Sequence, residues 1–184
     1  MQDFKTFFKA ILNAVKVEAA EEFDRNFERK AFFDRKWPQS KGPNSKGSLM
    51  MRSGALRRGN QSRIQGDSIV FTNSKAYASM HNQGGTVTVT AAMKKFFWAM
   101  YYKSSGKVKT KKSGGITKAS ERHSAEAAYW KSLALIKTGT KLNMPQRQWI
   151  GPHPVIDGIV KKHVDEQVGL LEKELYNTLK HHKK

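Results

Sequence analysis

The sequence lacks cysteine altogether, and no long apolar run in it is free of charge. The first absence excludes disulfides and thiolate metal sites. The second leaves no candidate for a membrane-spanning helix. The Met-Gln-Asp start has an acid where a signal peptide would have a basic segment and an apolar run, so we expect a cytosolic product with no membrane role.

Carboxylates are scarce in the middle of the chain. Between Asp34 and Asp157 there are three, Asp67, Glu121 and Glu126. Two-metal nucleases and paired-carboxylate hydrolases need clustered acids, so both classes are disfavoured. The six histidines form no His-x-x-x-His pair. We therefore predict no metal site and no cofactor.

Positive charge is abundant. The 184 residues carry a formal net charge of +19, and lysines and arginines run through the interval where acids are few. Such an excess indicates attraction to an anionic partner or contact with acidic neighbours. The length is that of one domain with extensions, so we predict a single domain over residues 1–184.

Apolar periodicity predicts a long helix at each end of the chain. The first extends from Asp3 to about Phe33, before the helix-breaking Trp37-Pro38, and a turn-rich loop follows over 39–47. The last begins after Pro154. Its predicted apolar face comprises Ile156, Val160, Val164, Val168, Leu171, Leu175 and Leu179.

Between these helices the pattern predicts short strands and further helices. A hairpin turns at Gly66-Asp67, a short helix covers 77–82, and a strand covers 86–90. Thr90 is the expected N-cap of a helix over 91–102, and another helix is predicted over 124–137. The whole indicates an α+β domain: a small antiparallel sheet packed against the two terminal helices, with extra helices and a basic inserted loop.

The stretch Ala76-Tyr-Ala-Ser-Met-His-Asn-Gln-Gly-Gly85 has the composition of a catalytic loop. A hydrolase using His81 as base needs a nucleophile and an orienting carboxylate, and Asp67 is the one acid near it in sequence. Neither Ser74 nor Ser79 lies in a nucleophile-elbow pattern. The favoured interpretation is a structural helix end, and we predict no catalytic residue.

The run from Met93 to Lys103 mixes cations with aromatics, as single-strand stacking platforms and membrane-surface helices do. On helical spacing, Met93, Phe97, Met100 and Tyr101 share one face, which favours a core or subunit interface. The glycine-rich segment that follows is predicted to be a mobile insertion over 103–121. The cations of this region that could contact DNA or a partner are Lys103, Lys107, Lys109, Lys111, Lys112 and Lys118.

Four features occur in a characteristic order along nearly the whole chain. They are the Phe-Phe-x-x-Lys-Trp ending at Trp37, the Ser53-Gly-Ala-Leu-Arg57 run, Tyr77-Ala-x-x-His-Asn-x-Gly-Gly85, and Met144-Pro-Gln-Arg-Gln-Trp-Ile-Gly151 before the last helix. In this order the sequence resembles the phage virion morphogenesis family, the tail-completion or neck proteins of tailed bacteriophages.

The resemblance implies a non-enzymatic virion protein, made in the cytoplasm of the bacterial host and located in the neck at the tail top. It would form a homo-oligomeric ring between head-connector and tail-tube or terminator proteins, with non-specific contact to packaged DNA as a further use of its charge. Tyr77 and His81 would share a helix face toward the sheet, Trp149 would be buried, and Arg147 would bond nearby carbonyls. The implied fold-signature or interface residues are Trp37, Tyr77, His81, Asn82, Gly84, Gly85, Pro145, Arg147 and Trp149.

A second function stays open from the residues themselves. The basic loop and the aromatic helix together are also typical of a non-specific nucleic-acid-binding protein. That alternative requires salt-sensitive binding by the isolated chain.

Overall fold

The computed structural model describes residues 4–40, 42, 47–111 and 113–181. The α+β class is confirmed. The chain divides into two compact units. We call Met1–Trp37, Ser53–Ala78 and Gln148–Lys184 the terminal-helix unit, and Pro38–Arg52 with Ser79–Arg147 the basic unit. The single domain over 1–184 stays a prediction.

Helix α1, Phe4–Arg29, is the first element of the terminal-helix unit. Its buried residues recur every three or four positions, so one stripe of the helix faces the core. Phe7 is buried, whereas Phe4 in the preceding turn is exposed. The predicted start at Asp3 lies outside the described residues. The buried stripe comprises Phe7, Ile11, Val15, Ala19, Phe23, Asn26 and Phe27.

The predicted helix end near Phe33 is wrong, because α1 ends at Arg29 and the chain reverses. Lys30 adopts a left-handed conformation with φ 53°. Strand β1, Ala31–Phe32, then pairs with β2, Arg35–Lys36. The Trp37 amide donates to the Lys30 carbonyl at 2.9 Å, which closes this small hairpin directly before Pro38.

A second hairpin belongs to the same unit and agrees with the sequence. After the short helix α2, Ala55–Arg58, strand β3, Asn60–Gln65, pairs antiparallel with β4, Ser68–Asn73. The turn falls at Gly66-Asp67, where Gly66 has φ 60°. Glycine takes this conformation without steric cost, so the two-residue turn is specified locally.

Helix α6, Pro154–His181, completes the unit. Ile159 and Ile156 pack with α1 residues such as Ile11 and Val15. The predicted apolar face is therefore buried only in part: Ile156 and Leu171 pack against the core, whereas the other members of the stripe are exposed. These exposed members are Val160, Val164, Val168, Leu175 and Leu179.

The basic unit contains a third strand pair. Helix α3, Ala78–Gln83, is followed by β5, Gly85–Thr88, which pairs antiparallel with β6, Lys141–Met144. The alternating pattern predicted β5 at residues 86–90, and no pattern in the sequence predicted β6. The predicted small sheet thus consists of separate two-stranded pairs among the described residues.

Two helices of the basic unit pack against each other. Helix α4, Ala91–Ser105, begins at the predicted cap, where the Thr90 hydroxyl accepts from the Met93 amide at 3.2 Å. Helix α5 spans Lys118–Leu135 and begins six residues before the predicted start at residue 124. It begins there because Thr117 is its N-cap, and the Thr117 hydroxyl accepts from the Ser120 amide. Phe97 and Ala127 are buried between neighbouring side chains of this pair.

The predicted insertion over 103–121 is shorter in the structure. Lys103 lies in the last turn of α4, and Lys118 is the first residue of α5. Between the helices, Thr110 and Ile116 form an isolated antiparallel bridge. The Lys109 amide also donates to the Ser120 hydroxyl at 2.8 Å. Lys112, and residues 41 and 43–46 of the earlier predicted loop, lie outside the described residues.

None of the helices in the described part of the chain is long and apolar enough to cross a membrane.

Candidate functional site

Trp149 and Trp37 anchor the core of the terminal-helix unit. Trp149 is 1% exposed, and its ring lies 5.6 Å from that of Phe27. Its indole N–H donates to the Asn60 side-chain oxygen at 3.1 Å. The Trp37 ring lies 5.7 Å from that of Phe27, edge to face, and its indole N–H donates to the Gln148 carbonyl. Both tryptophans therefore act as packing residues with satisfied polar groups.

Asn26 connects distant parts of this core. It is fully buried, and its side-chain amide donates to the Trp149 carbonyl at 3.1 Å. Its side-chain oxygen accepts from the Phe33 amide at 2.9 Å. A buried amide with both ends bonded fixes the chain at these points, since leaving either end unpaired is costly. Asn26 was not predicted as a functional residue. A polar residue at a position of the apolar stripe of α1 is the feature of the sequence that indicates it.

His81 and Arg147 lie together in the basic unit. The Arg147 amide donates to the His81 carbonyl at 2.8 Å. The guanidinium of Arg147 is buried and donates to the carbonyls of Pro38 at 2.9 Å and Gln39 at 3.2 Å. The Gln146 side-chain amide donates to the Asn82 carbonyl at 3.1 Å. These bonds tie the end of α3 to the segment after β6.

The electrostatics of His81 favour a neutral ring. Burial and the charge of Arg147 lower the pKa of His81, and burial lowers the pKa of Arg147. A histidine acting as a general base in a triad is instead held by a carboxylate, which stabilises the imidazolium. Here the charged neighbour that acts on the imidazole is a cation. The geometry suits a structural contact.

Gly84 is required by close approach. It has φ 75°, and a Cβ there would lie 3.0 Å from the Gln146 nitrogen and 3.1 Å from the Met144 oxygen. Gly85 follows with φ 148° and starts β5. Pro145 stands directly after β6, where it offers no N–H to continue the pairing. Close approach of the backbone therefore favours glycine at position 84, and the end of the strand pairing tolerates proline at position 145.

Tyr77 differs from its implied position. It precedes α3 rather than sharing a helix face with His81, and it is 47% exposed. The expectation that Tyr77 lies within the same helix as His81 is therefore wrong. Their role as fold-signature or interface residues stays a prediction.

Helix α4 also has an outward surface that mixes cations with aromatic rings. On this helix Lys95, Trp98 and Tyr102, at spacings of three and four, lie on the side away from the buried Phe97, and Lys94 and Tyr101 lie between that side and Phe97. Trp98 and Tyr102 are stacked with centroids 6.0 Å apart and an interplanar angle of 28°. From α5, the Lys131 ammonium lies 6.0 Å from the Tyr101 ring centroid. We call this surface, Lys94, Lys95, Trp98, Tyr101, Tyr102 and Lys131, the aromatic–basic face.

The loop cations lie near the C-terminal end of α4. Those at 103, 107, 109, 111 and 118 are exposed, and Lys103 directly follows Tyr102. Over its sequence the basic unit has sixteen lysines and arginines against two carboxylates, so its formal charge is +14 of the chain's +19. Glu126 lies in α5 and not in the loop, and its carboxylate accepts from the Trp130 indole N–H at 3.5 Å. The structure thus concentrates positive charge in one unit.

No group of three or more potential metal ligands occurs among residues 4–40, 42, 47–111 and 113–181. Comparisons of the chain with protein-family models, curated proteins and solved structures found no match.

Proposed function

We propose that the chain is a structural subunit of the head–tail neck of a tailed bacteriophage, acting in tail completion and head–tail joining as a member of a ring. The observation that carries this proposal is the order of four sequence features, from the Phe-Phe-x-x-Lys-Trp ending at Trp37 to the segment before α6. Its partners would be further copies of itself and the head-connector and tail-tube or terminator proteins.

The surroundings of the signature residues support a structural role. Trp37 and Trp149 are core anchors, Arg147 bonds main-chain carbonyls, and Gly84 occupies a turn with no room for a side chain. His81 has a lowered pKa with a cation as its charged neighbour. A chain whose distinctive residues serve packing and turns fits an assembly protein without catalysis.

Helix α6 supplies a surface on which a second copy could pack. Five apolar residues on one face of α6 are exposed, from Val160 to Leu179. Contiguous apolar surface of this kind is typical of protein–protein contact. In a ring, each subunit must present two different complementary surfaces to its neighbours.

The charge distribution supports head-to-tail contacts. Helices α1 and α6 together hold ten of the fifteen acids and nine cations, so they are close to neutral and slightly acidic. The basic unit has a formal charge of +14. Contact of the α6 face of one copy with the basic unit of the next would place a nearly neutral helix against the cations, whereas two basic units would repel each other.

The first test compares virions of a phage that carries this gene with particles of a null mutant. We expect immunolabelling at the neck of wild-type virions and an accumulation of separate heads and tails in the mutant, both seen by electron microscopy. Complete virions assembled without the protein would overturn the proposal.

A matched pair of variants tests the ring contact. Leu175→Glu places a charge on the exposed apolar face of α6, whereas Asn177→Glu places the same charge on the opposite side of the same turn. We expect Leu175→Glu to fail to complement the null mutant and Asn177→Glu to restore plaques, with both chains folded by circular dichroism. Full complementation by Leu175→Glu would contradict the α6 contact.

A further inference from the structure

The aromatic–basic face has a chemistry that the neck proposal does not use. Tyr102 is 66% exposed, and its ring stacks with that of the half-buried Trp98 four residues earlier. Tyr101 lies 5.6 Å from Trp98 and 5.1 Å from Tyr102, so three rings form one cluster. Planar rings held by one another lose little conformational freedom when a flat ligand stacks on them.

Cations surround this cluster. Lys94 and Lys95 lie one turn before Trp98, Lys103 follows Tyr102, and Lys131 approaches from α5. The two carboxylates of the basic unit, Glu121 and Glu126, both belong to α5. The ligand that this surface fits therefore carries negative charge along its length.

The exposed side of α4 is unsuited to a membrane surface. Helices that lie in the lipid interface present a broad aliphatic face to the acyl chains. In α4 the more apolar side, with Phe97, packs with α5 through the ring of Trp130. The outward side combines lysines with Trp98 and Tyr102, which is typical of surfaces that bind a charged backbone and stack exposed bases.

We propose that the aromatic–basic face binds single-stranded nucleic acid, with Trp98 and Tyr102 stacking on bases and the surrounding lysines contacting phosphates. A duplex offers the same phosphates but keeps its bases stacked inside, so the aromatic cluster selects the single strand. The inference does not depend on the neck proposal, because it concerns binding by the isolated chain.

The test measures fluorescence anisotropy of the full chain with a labelled 20-nucleotide oligothymidine at 50 mM NaCl. We expect binding that weakens as salt rises, with a log–log slope of about −0.7 for each phosphate contacted. A 20-base-pair duplex should bind more weakly, and polyglutamate should compete poorly. Absence of binding at this salt concentration, or equal affinity for the single strand and the duplex, would overturn the proposal.

Two matched substitutions assign the stacking. Tyr102→Ala removes a 66% exposed tyrosine from α4, and Tyr176→Ala removes a 67% exposed tyrosine from α6. We expect the first to weaken binding about tenfold, within the range for one stacked base, and the second to leave it unchanged. Equal effects of the two variants would show that the aromatic cluster is not the contact.

A second pair assigns the phosphate contacts. Lys94→Gln with Lys95→Gln should lower the affinity and reduce the salt slope. Lys161→Gln with Lys173→Gln removes the same charge from α6 and should change both much less. Since both double variants alter helix surfaces, their melting temperatures serve as the folding control. Equal losses from the two pairs would indicate a general charge effect and overturn the assignment to α4.

Discussion

The two units of this chain differ in how many of their lysines and arginines form ion pairs with carboxylates. In the terminal-helix unit, cations and acids are paired: Arg29 with Glu22, Arg57 with Asp24 and Glu28, and Lys162 with Glu18. In the described part of the basic unit, no lysine or arginine forms such a bridge with a carboxylate, and one His–Glu contact occurs within α5. The first unit thus pairs many of its charges internally, whereas the described cations of the second form no such bridges with carboxylates.

The consequence is visible in the pKa values. The carboxylates Asp24 and Glu28 raise the pKa of the Arg57 guanidinium. Lys162 and then His163 lower the pKa of Glu18 through hydrogen bonds. In the basic unit, by contrast, burial leads the causes that lower the pKa of His81, and the charge of Arg147 adds to it. Stability in the first unit thus includes attraction between charges, and the second must tolerate repulsion.

The largest expected effect separates packing from surface chemistry. Trp149→Ala removes a fully buried ring and leaves the Asn60 side chain without its indole donor, which should lower the free energy of unfolding by about 3–5 kcal/mol. Trp98→Ala removes the same ring from the half-exposed aromatic–basic face and should cost no more than about 2 kcal/mol. Urea unfolding followed by circular dichroism measures both.

A reversed order of these two costs would break the distinction between the units. It would mean that the aromatic cluster of α4 is a core element rather than a binding surface. The reciprocal expectation is that Trp98→Ala weakens nucleic-acid binding while Trp149→Ala does so only through unfolding.

Acidification should destabilise the two units in different pH ranges. The ordinary pKa of His81 is 6.5, and folding lowers it. Below pH 6.5 the imidazole therefore binds a proton in the unfolded chain before it does so in the folded chain. Stability is therefore complete above pH 6.5 and falls as pH drops toward the folded pKa. Glu18 has an ordinary pKa of 4.5, also lowered by folding, so its contribution is lost below pH 4.5.

Single variants assign these ranges. We expect His81→Gln to flatten the loss of unfolding free energy that begins below pH 6.5, and Glu18→Gln to flatten the loss that begins below pH 4.5. Urea titrations at half-unit pH steps give both profiles. If His81→Gln leaves the first range unchanged, the imidazole is not the titrating group.

The smallest expected effect concerns exposed lysines. In 10 mM salt, Lys107→Gln with Lys109→Gln should raise the melting temperature by about 1 °C, because repulsion within the basic unit falls. Lys162→Gln should lower it, because Glu18 loses a hydrogen-bonded cation. Both differences should shrink in 0.5 M salt, where exposed charges are screened. If the melting temperatures of the two variants change in the same direction, the proposed difference between the units is wrong.

Features decided by local sequence could be predicted. The turn at Gly66-Asp67, the Thr90 cap and the two long terminal helices follow from residues close together in the chain. Strand β6 was missed because Lys-Leu-Asn-Met has weak alternation and exists as a strand through its pairing with β5, more than fifty residues earlier. The end of α1 at Arg29 likewise depends on the Asn26 bond to Phe33 and on packing around Trp37.

The candidate site shows the same division. Glycines and aromatics at signature positions could be selected from sequence, but periodicity alone could not tell which face of α6 would be covered. The predicted face and the observed one differ by a few positions around the helix, and Ile159 rather than Val160 is buried. That choice is set by α1, whose residues lie over a hundred positions away.

The bond between Asn26 and Trp149 has a consequence for synthesis. The two residues are separated by 123 positions, so α1 leaves the ribosome long before its partners exist. The part of its apolar stripe that Trp149 and α6 cover must stay uncovered, or be held by a chaperone, while the whole basic unit is translated and folds on its more local contacts. The part of the chain made first is thus completed last, and a stalled or truncated translation product would expose the surface most prone to aggregate.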